Sequence, residues 1–237
     1  MKKLISLISL SLLFTLFAPL QSQAAETGTG PYRKVVANSG YSWMSTYVYL
    51  PGGNNVSYKK DSKDTGYVYI GGSNGGVEVD AGFQHSPTLD NWSPFISVNK
   101  VRPSTGTTNI RFKSNQEVFM KFYVTSDNNV ELSVTGTDVD GVRRTITLTA
   151  KAAGMKKSGT GNLLKRVTSI AQVGGDNFNS GNYMKNVRWS QARIGTSSTA
   201  NALWSGTHTK EFISHKNPYI SVQYVNQSEE TVSINLN

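Results

Sequence analysis

Glu78 and Asp80 stand two residues apart in GGVEVDAGFQHS, with Gln84 four positions on and with Tyr67 and Tyr69 just upstream in GYVYIGG. A carboxylate pair on one strand face is the equipment of general acid–base hydrolysis, and of glycoside cleavage where two acids flank the bond. Tyrosines beside such acids offer flat faces for a sugar ring and hydroxyls for its polar groups. Tyr67, Tyr69, Glu78, Asp80 and Gln84, with Trp92 of NWSPFI at the rim, therefore form the candidate glycan-binding face. In a catalytic reading Glu78 and Asp80 are the acids. His85, His208 and His215 are the only histidines, and none sits in a His-x-His or helical His-x-x-x-His pair, so no zinc site is expected. His85 follows Gln84 directly and is the one histidine with a conceivable place at the binding face. No Gly-x-Ser-x-Gly elbow occurs. No cofactor is expected. If a structural calcium is bound, the oxygen-rich loops at Asp138 and Asp140, or at Asp176, are where it would be held.

These side chains must be positioned by strands. Val68 and Ile70 alternate with Tyr67 and Tyr69, and Val77, Val79, Ala81 and Phe83 alternate with Glu78, Asp80, Gly82 and Gln84, which is period two on both arms of a hairpin. With Gly71 to Gly76 taken as turn residues, Ile70 pairs with Val77, Tyr69 with Glu78 and Tyr67 with Asp80, leaving one apolar face and one face of tyrosines and acids. Short β-like runs recur along the rest of the chain, punctuated by Pro51-Gly52-Gly53-Asn54, Asp127-Asn128-Asn129 and similar turn clusters. Val118 to Val124 is apolar on both faces and reads as a central strand. Leu163 to Val173 alone has helical spacing, but its β-branched Val167, Thr168, Ile170 and Val173 favour a strand. Gly154 to Asn162 reads as a mobile loop. With roughly a dozen strands and no helix to cover a sheet, two antiparallel sheets must cover each other, so the fold class is an all-β, two-sheet sandwich.

Lys2 and Lys3 precede an apolar run from Leu4 to Leu20, and Ser22-Gln23-Ala24 has the small residues of a cleavage site, so residues 1–24 read as a cleaved signal peptide and 25–237 as a single β-sandwich domain. No membrane span is expected. The chain has 24 basic and 15 acidic residues, a formal charge of +9; losing Lys2 and Lys3 leaves 22 against 15, or +7. There is no cysteine, hence no disulfide, thiolate metal site or lipid attachment through sulfur. The basic residues are scattered in pairs such as Lys59-Lys60, Arg143-Arg144 and Lys165-Arg166, which read as solvated surface, so nucleic acid is not the expected partner. A neutral or anionic polysaccharide or wall polymer is, for a secreted protein retained at the cell wall.

With the hairpin, YMKNVRWSQARI and the strand count, the chain resembles the concanavalin A-like lectin and glucanase jelly rolls, in which a sheet presents aromatic and acidic side chains to glycans; Met184 to Arg188 is similar to a pattern of their late strands. GGVEVDAGFQHS with NWSPFI resembles the YrpD-type group of exported Bacillus proteins, which implies export and carries no mechanism. Glu78-Val79-Asp80 is similar to half of the laminarinase motif, but Phe83 and Gln84 occupy the positions where that family has its second Glu, and an amide cannot donate a proton as an acid does. Gln172-Val173-Gly174 and Tyr183-Met184-Lys185 resemble the alginate-lyase segments without their His. These readings converge on an exported glycan-binding or cell-wall-associated protein without catalytic activity; the alternatives are a polysaccharide hydrolase or lyase using Glu78 and Asp80, and a structural or interaction protein.

Overall fold

The computed structural model describes residues 30–58, 64–86, 88–172 and 174–237. The expected signal peptide with its cleavage position and the Lys59-Lys60 pair lie outside the described residues. The strands are, in chain order, β1 (Tyr32–Ala37), β2 (Trp43–Leu50), β3 (Val56–Ser57), β4 (Thr65–Asn74), β5 (Val77–Ser86), β6 (Asn91–Val98), β7 (Phe112–Lys113) and β8 (Gln116–Ser126). They continue as β9 (Asn129–Thr137), β10 (Arg143–Lys151), β11 (Leu163–Ala171), β12 (Tyr183–Gly195), β13 (Asn201–Leu203), β14 (Thr209–His215), β15 (Ile220–Asn226) and β16 (Glu229–Asn235). Among the described residues the only helical elements are short 3-10 turns, and no helix is long and apolar enough to cross a membrane.

The chain is an all-β, two-sheet antiparallel sandwich. One sheet has seven strands in the order β14-β1-β11-β4-β5-β6-β7; the other runs β10-β9-β8-β2-β12-β16-β15, with β3 and β13 also pairing β12. Alternation decides which side chains lie between the sheets. From the seven-stranded sheet, Val68, Ile70, Ala81, Phe83 and Ile96 point inward; from the other come Met44, Val48, Met120, Phe122, Leu132, Val134, Trp189 and Val232, all of them buried. Each such side chain contributes about 1.5–3 kcal/mol by leaving water. The strand reading of Leu163 to Val173 holds from Leu163 to Ala171 as β11, which sits third in its sheet, while Val173 lies outside the described residues; β8 lies inside the other sheet, as its two apolar faces require.

The central hairpin is longer than its glycines suggest. Gly75 and Gly76, at φ 57° and 88°, supply by themselves the two positive φ values of a two-residue hairpin turn, so β4 continues through Gly71-Gly72-Ser73-Asn74. Ile70 therefore faces Ala81 rather than Val77, Tyr69 faces Gly82, and Tyr67 faces Gln84. The slip is four residues, an even number, so every side chain keeps its expected face. Two further expectations change. The Gly154 to Asn162 segment is pinned, not loose: buried Asn162 donates to the carbonyls of Tyr41 and Lys156 at 3.1 and 2.7 Å, and Gly161 N donates to Ser39 Oγ at 2.9 Å. Lys165-Arg166 is no solvated pair; the two residues point to opposite faces of β11, 4% and 1% exposed.

Arg166 enters the space between the sheets and donates through Nη1 to Glu230 Oε1 at 2.7 Å, while Arg33 donates through Nη2 to Glu230 Oε2 at 2.9 Å. This charged trio joins β1 and β11 of one sheet to β16 of the other, beside the edge strands β14 and β15.

Candidate functional site

The outward face of the seven-stranded sheet carries the candidate site, and register fixes its layout. Lys165, Gly71, Asp80 and Ser97 form one row across β11, β4, β5 and β6; Val167, Tyr69, Gly82 and Phe95 form the next; Ser169, Tyr67, Gln84 and Ser93 the one after. Neighbouring strands lie about 4.8 Å apart, so Lys165 and Asp80, with β4 between their strands, are separated by two such steps. Gly71 has no side chain, and Lys165 reaches across it. Its ammonium donates to Asp80 Oδ1 at 2.7 Å and to Glu78 Oε1, and lies 5.5 Å from the centroid of the Tyr69 ring. Lys165 is buried, Asp80 about a quarter exposed, and Glu78 52% exposed. Glu78 is fixed from behind by Asn99: its N–H donates to Asn99 Oδ1, and its carbonyl accepts from Asn99 N, both at 2.8 Å.

A second glycine shapes the aromatic floor. A Cβ on Gly82 would lie 2.5 Å from Tyr69 Cα and 2.7 Å from Tyr69 Cβ, so only glycine lets Tyr69 and Phe95 close over β5 to a centroid distance of 6.3 Å. Tyr67 meets Phe95 edge-on at 5.6 Å, and the Arg102 guanidinium lies 4.5 Å from the Phe95 ring centroid while its Nη2 donates to the Tyr67 hydroxyl at 3.5 Å. Burial pushes the Tyr69 hydroxyl well above the usual tyrosine range, with Asp80 and Glu78 adding to it. Burial raises Tyr67 as well, against the opposing pull of Arg102. Both keep their protons near neutral pH. Above this floor lies a groove of about 700 Å³, within the roughly 300–1,000 Å³ of small-molecule and cofactor sites. Its charged lining is Lys34, Lys100, Arg102 and Lys165 against Glu78 and Asp80.

The structure thus brings together Tyr67, Tyr69, Glu78 and Asp80. Gln84 faces outward one row beyond Gly82 and lines a smaller adjoining cavity. Trp92 is a correction: it pairs with His85, shares its inward face, is fully buried and donates through Nε1 to the Pro51 carbonyl at 2.9 Å, so it is core and not rim. His85 is likewise turned inward, its Nε2 3.0 Å from Asp90 Oδ1. Asp138 accepts from Arg144 and, at 2.8 Å, from Val142 N, and Asp176 accepts from Gly30 N at 3.0 Å. Among the described residues no three His, Cys, Asp or Glu side chains come together as a metal group. Sequence reasoning missed Lys165, Phe95 and Arg102. The parity that sets Phe95 opposite Gly82 was available in FQHS and NWSPFI; a lysine inside the apolar run LLKRV was the signal for Lys165.

No family model matches the chain, and no curated protein matches it. Solved structures do. Scytalido-glutamic peptidase with a peptide-based transition-state analogue superposes with a TM-score of 0.52 at 8% identity, over 87% of this chain and 98% of that one. SCP-B, a member of the eqolisin family of peptidases in complex with the tripeptide Ala-Ile-His, gives 0.54 at 10% identity, over 86% and 98%. A further scytalido-glutamic peptidase structure with a transition-state analogue inhibitor gives 0.51 at 10% identity, over 88% and 98%. At such identities the likeness is one of fold. This likeness corrects the expectation of a glycan-binding or wall-associated protein without catalytic activity: these three structures, which share the fold over 86–88% of the chain, are peptidases.

Proposed function

We propose that the chain is a hydrolase of peptide bonds, with an extended polypeptide laid in the groove and the Lys165, Glu78 and Asp80 cluster as its reacting centre. The observation that carries the proposal is the ammonium held between two carboxylates on the groove floor, one of which, Glu78, stays half exposed to water. Glu78, engaged through Oε1 only among the described residues, takes a proton from a water molecule as that water attacks the scissile carbonyl carbon. Negative charge then develops on the carbonyl oxygen, where the Lys165 ammonium stabilises it, a role worth about 10²–10³-fold for a single donor. The C–N bond breaks as Glu78 returns its proton to the leaving nitrogen. Asp80 holds Lys165 across the gap at Gly71. The peptidases that share the fold, two with bound peptide-like ligands, support an extended chain as the substrate. Export belongs to the same proposal, resting on the leader-like segment behind Lys2 and Lys3.

The test is a peptide-library digest read by mass spectrometry from pH 3 to 8, run beside reducing-sugar and unsaturated-product assays on polysaccharides. Peptide cleavage is expected, reduced about 10²–10⁴-fold in kcat/KM by Glu78→Gln and about 10²–10³-fold by Lys165→Met. Cleavage undiminished in Glu78→Gln, or turnover on polysaccharides with none on peptides, overturns it; the second result restores the polysaccharide hydrolase or lyase built on the same acids.

A further inference from the structure

Beside the groove, at the β5 and β6 end of the Tyr67 row, a second cavity of about 210 Å³ is lined by Gln84, His85, Ser86, Ser93, Arg102 and Arg111. Two guanidinium groups line it and no carboxylate does. Arg33, Arg144, Arg166 and Arg188 each pair with an acid within 4 Å; among the described residues Arg102 and Arg111, like Arg143 and Arg193, pair with none, and of these four only Arg102 and Arg111 line this cavity. Arg102 donates only to the Tyr67 hydroxyl and Arg111 only to Asn91 Oδ1, both at a long 3.5 Å, so both keep unused N–H donors. Gln84 and Ser93, which also line it, face each other in neighbouring strands. Arg102 also lines the main groove, so the two cavities share a wall.

The geometry points to an anion subsite: Arg102 and Arg111 receive a carboxylate of the peptide chain lying in the groove. A planar guanidinium fork matches a carboxylate with two parallel hydrogen bonds, which lysine cannot do. The groove's own surplus of cations, Lys34 and Lys100 with Arg102 and Lys165 against two acids, favours the same sign of ligand. The carboxylate can be an Asp or Glu side chain or the free C-terminus of the substrate; these present the same group to the same fork. The inference rests on the peptide-hydrolase reading for the identity of the chain but not for the charge it carries.

Binding is therefore measured apart from turnover, by calorimetry on the Glu78→Gln protein, with three acetylated hexapeptides: a Glu-containing peptide amide, its Gln counterpart as the amide, and the Gln peptide as the free acid. The Glu amide is expected to bind at least tenfold more tightly than the Gln amide, and Arg102→Gln and Arg111→Gln are each expected to remove about tenfold of that preference, Arg111→Lys restoring part of it. If the free-acid Gln peptide gains as much, the subsite reads chain ends; if only the Glu amide gains, it reads side chains; either result supports the subsite. Equal binding of all three peptides, or a preference untouched by both Arg→Gln variants when each melts like the parent, overturns it. Arg102 is exposed, so its variant stays informative even if Arg111→Gln fails to fold. The two readings fail separately: cleavage indifferent to substrate charge removes the subsite and leaves the hydrolase, while charge-selective binding without cleavage of any peptide removes the hydrolase and leaves the subsite.

Discussion

Glu230→Gln is the substitution whose cost can be worked most directly from the structure. Glu230 and Arg166 are each 1% exposed and Arg33 11%, so the change takes the single carboxylate out of a trio of two guanidiniums and one acid. Burial already pulls Arg166 below the usual arginine value, and Glu230 is what opposes that pull. The remaining contacts, Arg166 Nη2 to the Gln227 carbonyl at 3.1 Å and Arg33 Nη1 to Ser214 Oγ at 3.3 Å, are to neutral groups. Leaving a buried charge without its partner costs about 3–5 kcal/mol. For a protein of this size roughly 2–4 °C of melting temperature goes with each kcal/mol, so a drop of about 6–20 °C is expected. Differential scanning calorimetry on the parent and the variant reads it. The same argument predicts that the triple change Arg33→Met, Arg166→Met, Glu230→Met recovers most of the loss, since a well-packed apolar replacement needs no desolvated charge. A Glu230→Gln protein melting within about 2 °C of the parent, or a triple variant no better than the single one, would refute the view that a closed charge network joins the two sheets at this edge.

Stability should fall as pH drops below about 6.5, because burial lowers the pKa of His85, packed near Tyr58, Trp92 and Asp90, despite the opposing hydrogen bond to the Asp90 carboxylate. The unfolded chain then binds the proton before the folded one does, so this contribution is complete above the unfolded value and is lost as pH falls through the folded one; urea midpoints at pH 7.5 and pH 5 check it, and a His85→Gln protein with an unchanged midpoint difference counts against it. Gly82→Ala should cost about 1–3 kcal/mol, since the new methyl meets the Val68 carbonyl oxygen at 2.4 Å and the Tyr69 backbone at 2.5 Å. It should also weaken peptide binding by forcing Tyr69 and Phe95 apart, and urea denaturation together with calorimetry on one peptide reads both effects.

The sandwich was legible because period-two alternation states directly which side chains must be buried, and the same parity placed Tyr67, Tyr69, Glu78 and Asp80 on one outward face even though the hairpin register was four residues off. What alternation cannot state is which strand lies beside which. Lys165 is some 85 residues from Asp80 in sequence, and its place in the site depends on β11 pairing with β4 and on Gly71 opening the way between β11 and β5. Both are properties of strand order, not of any local pattern. Trp92 failed for the opposite reason: its composition suggested a sugar platform, but its position opposite inward-facing His85 decided the matter. The long-range partner is also what changes the chemistry. Glu78 and Asp80 alone on a sheet surface are two solvated acids of the kind a lectin or a glycosidase could carry. With a buried ammonium reaching them across Gly71, the same acids lie beside a fixed positive charge, and the proposed attack on an amide carbonyl rests on that pairing.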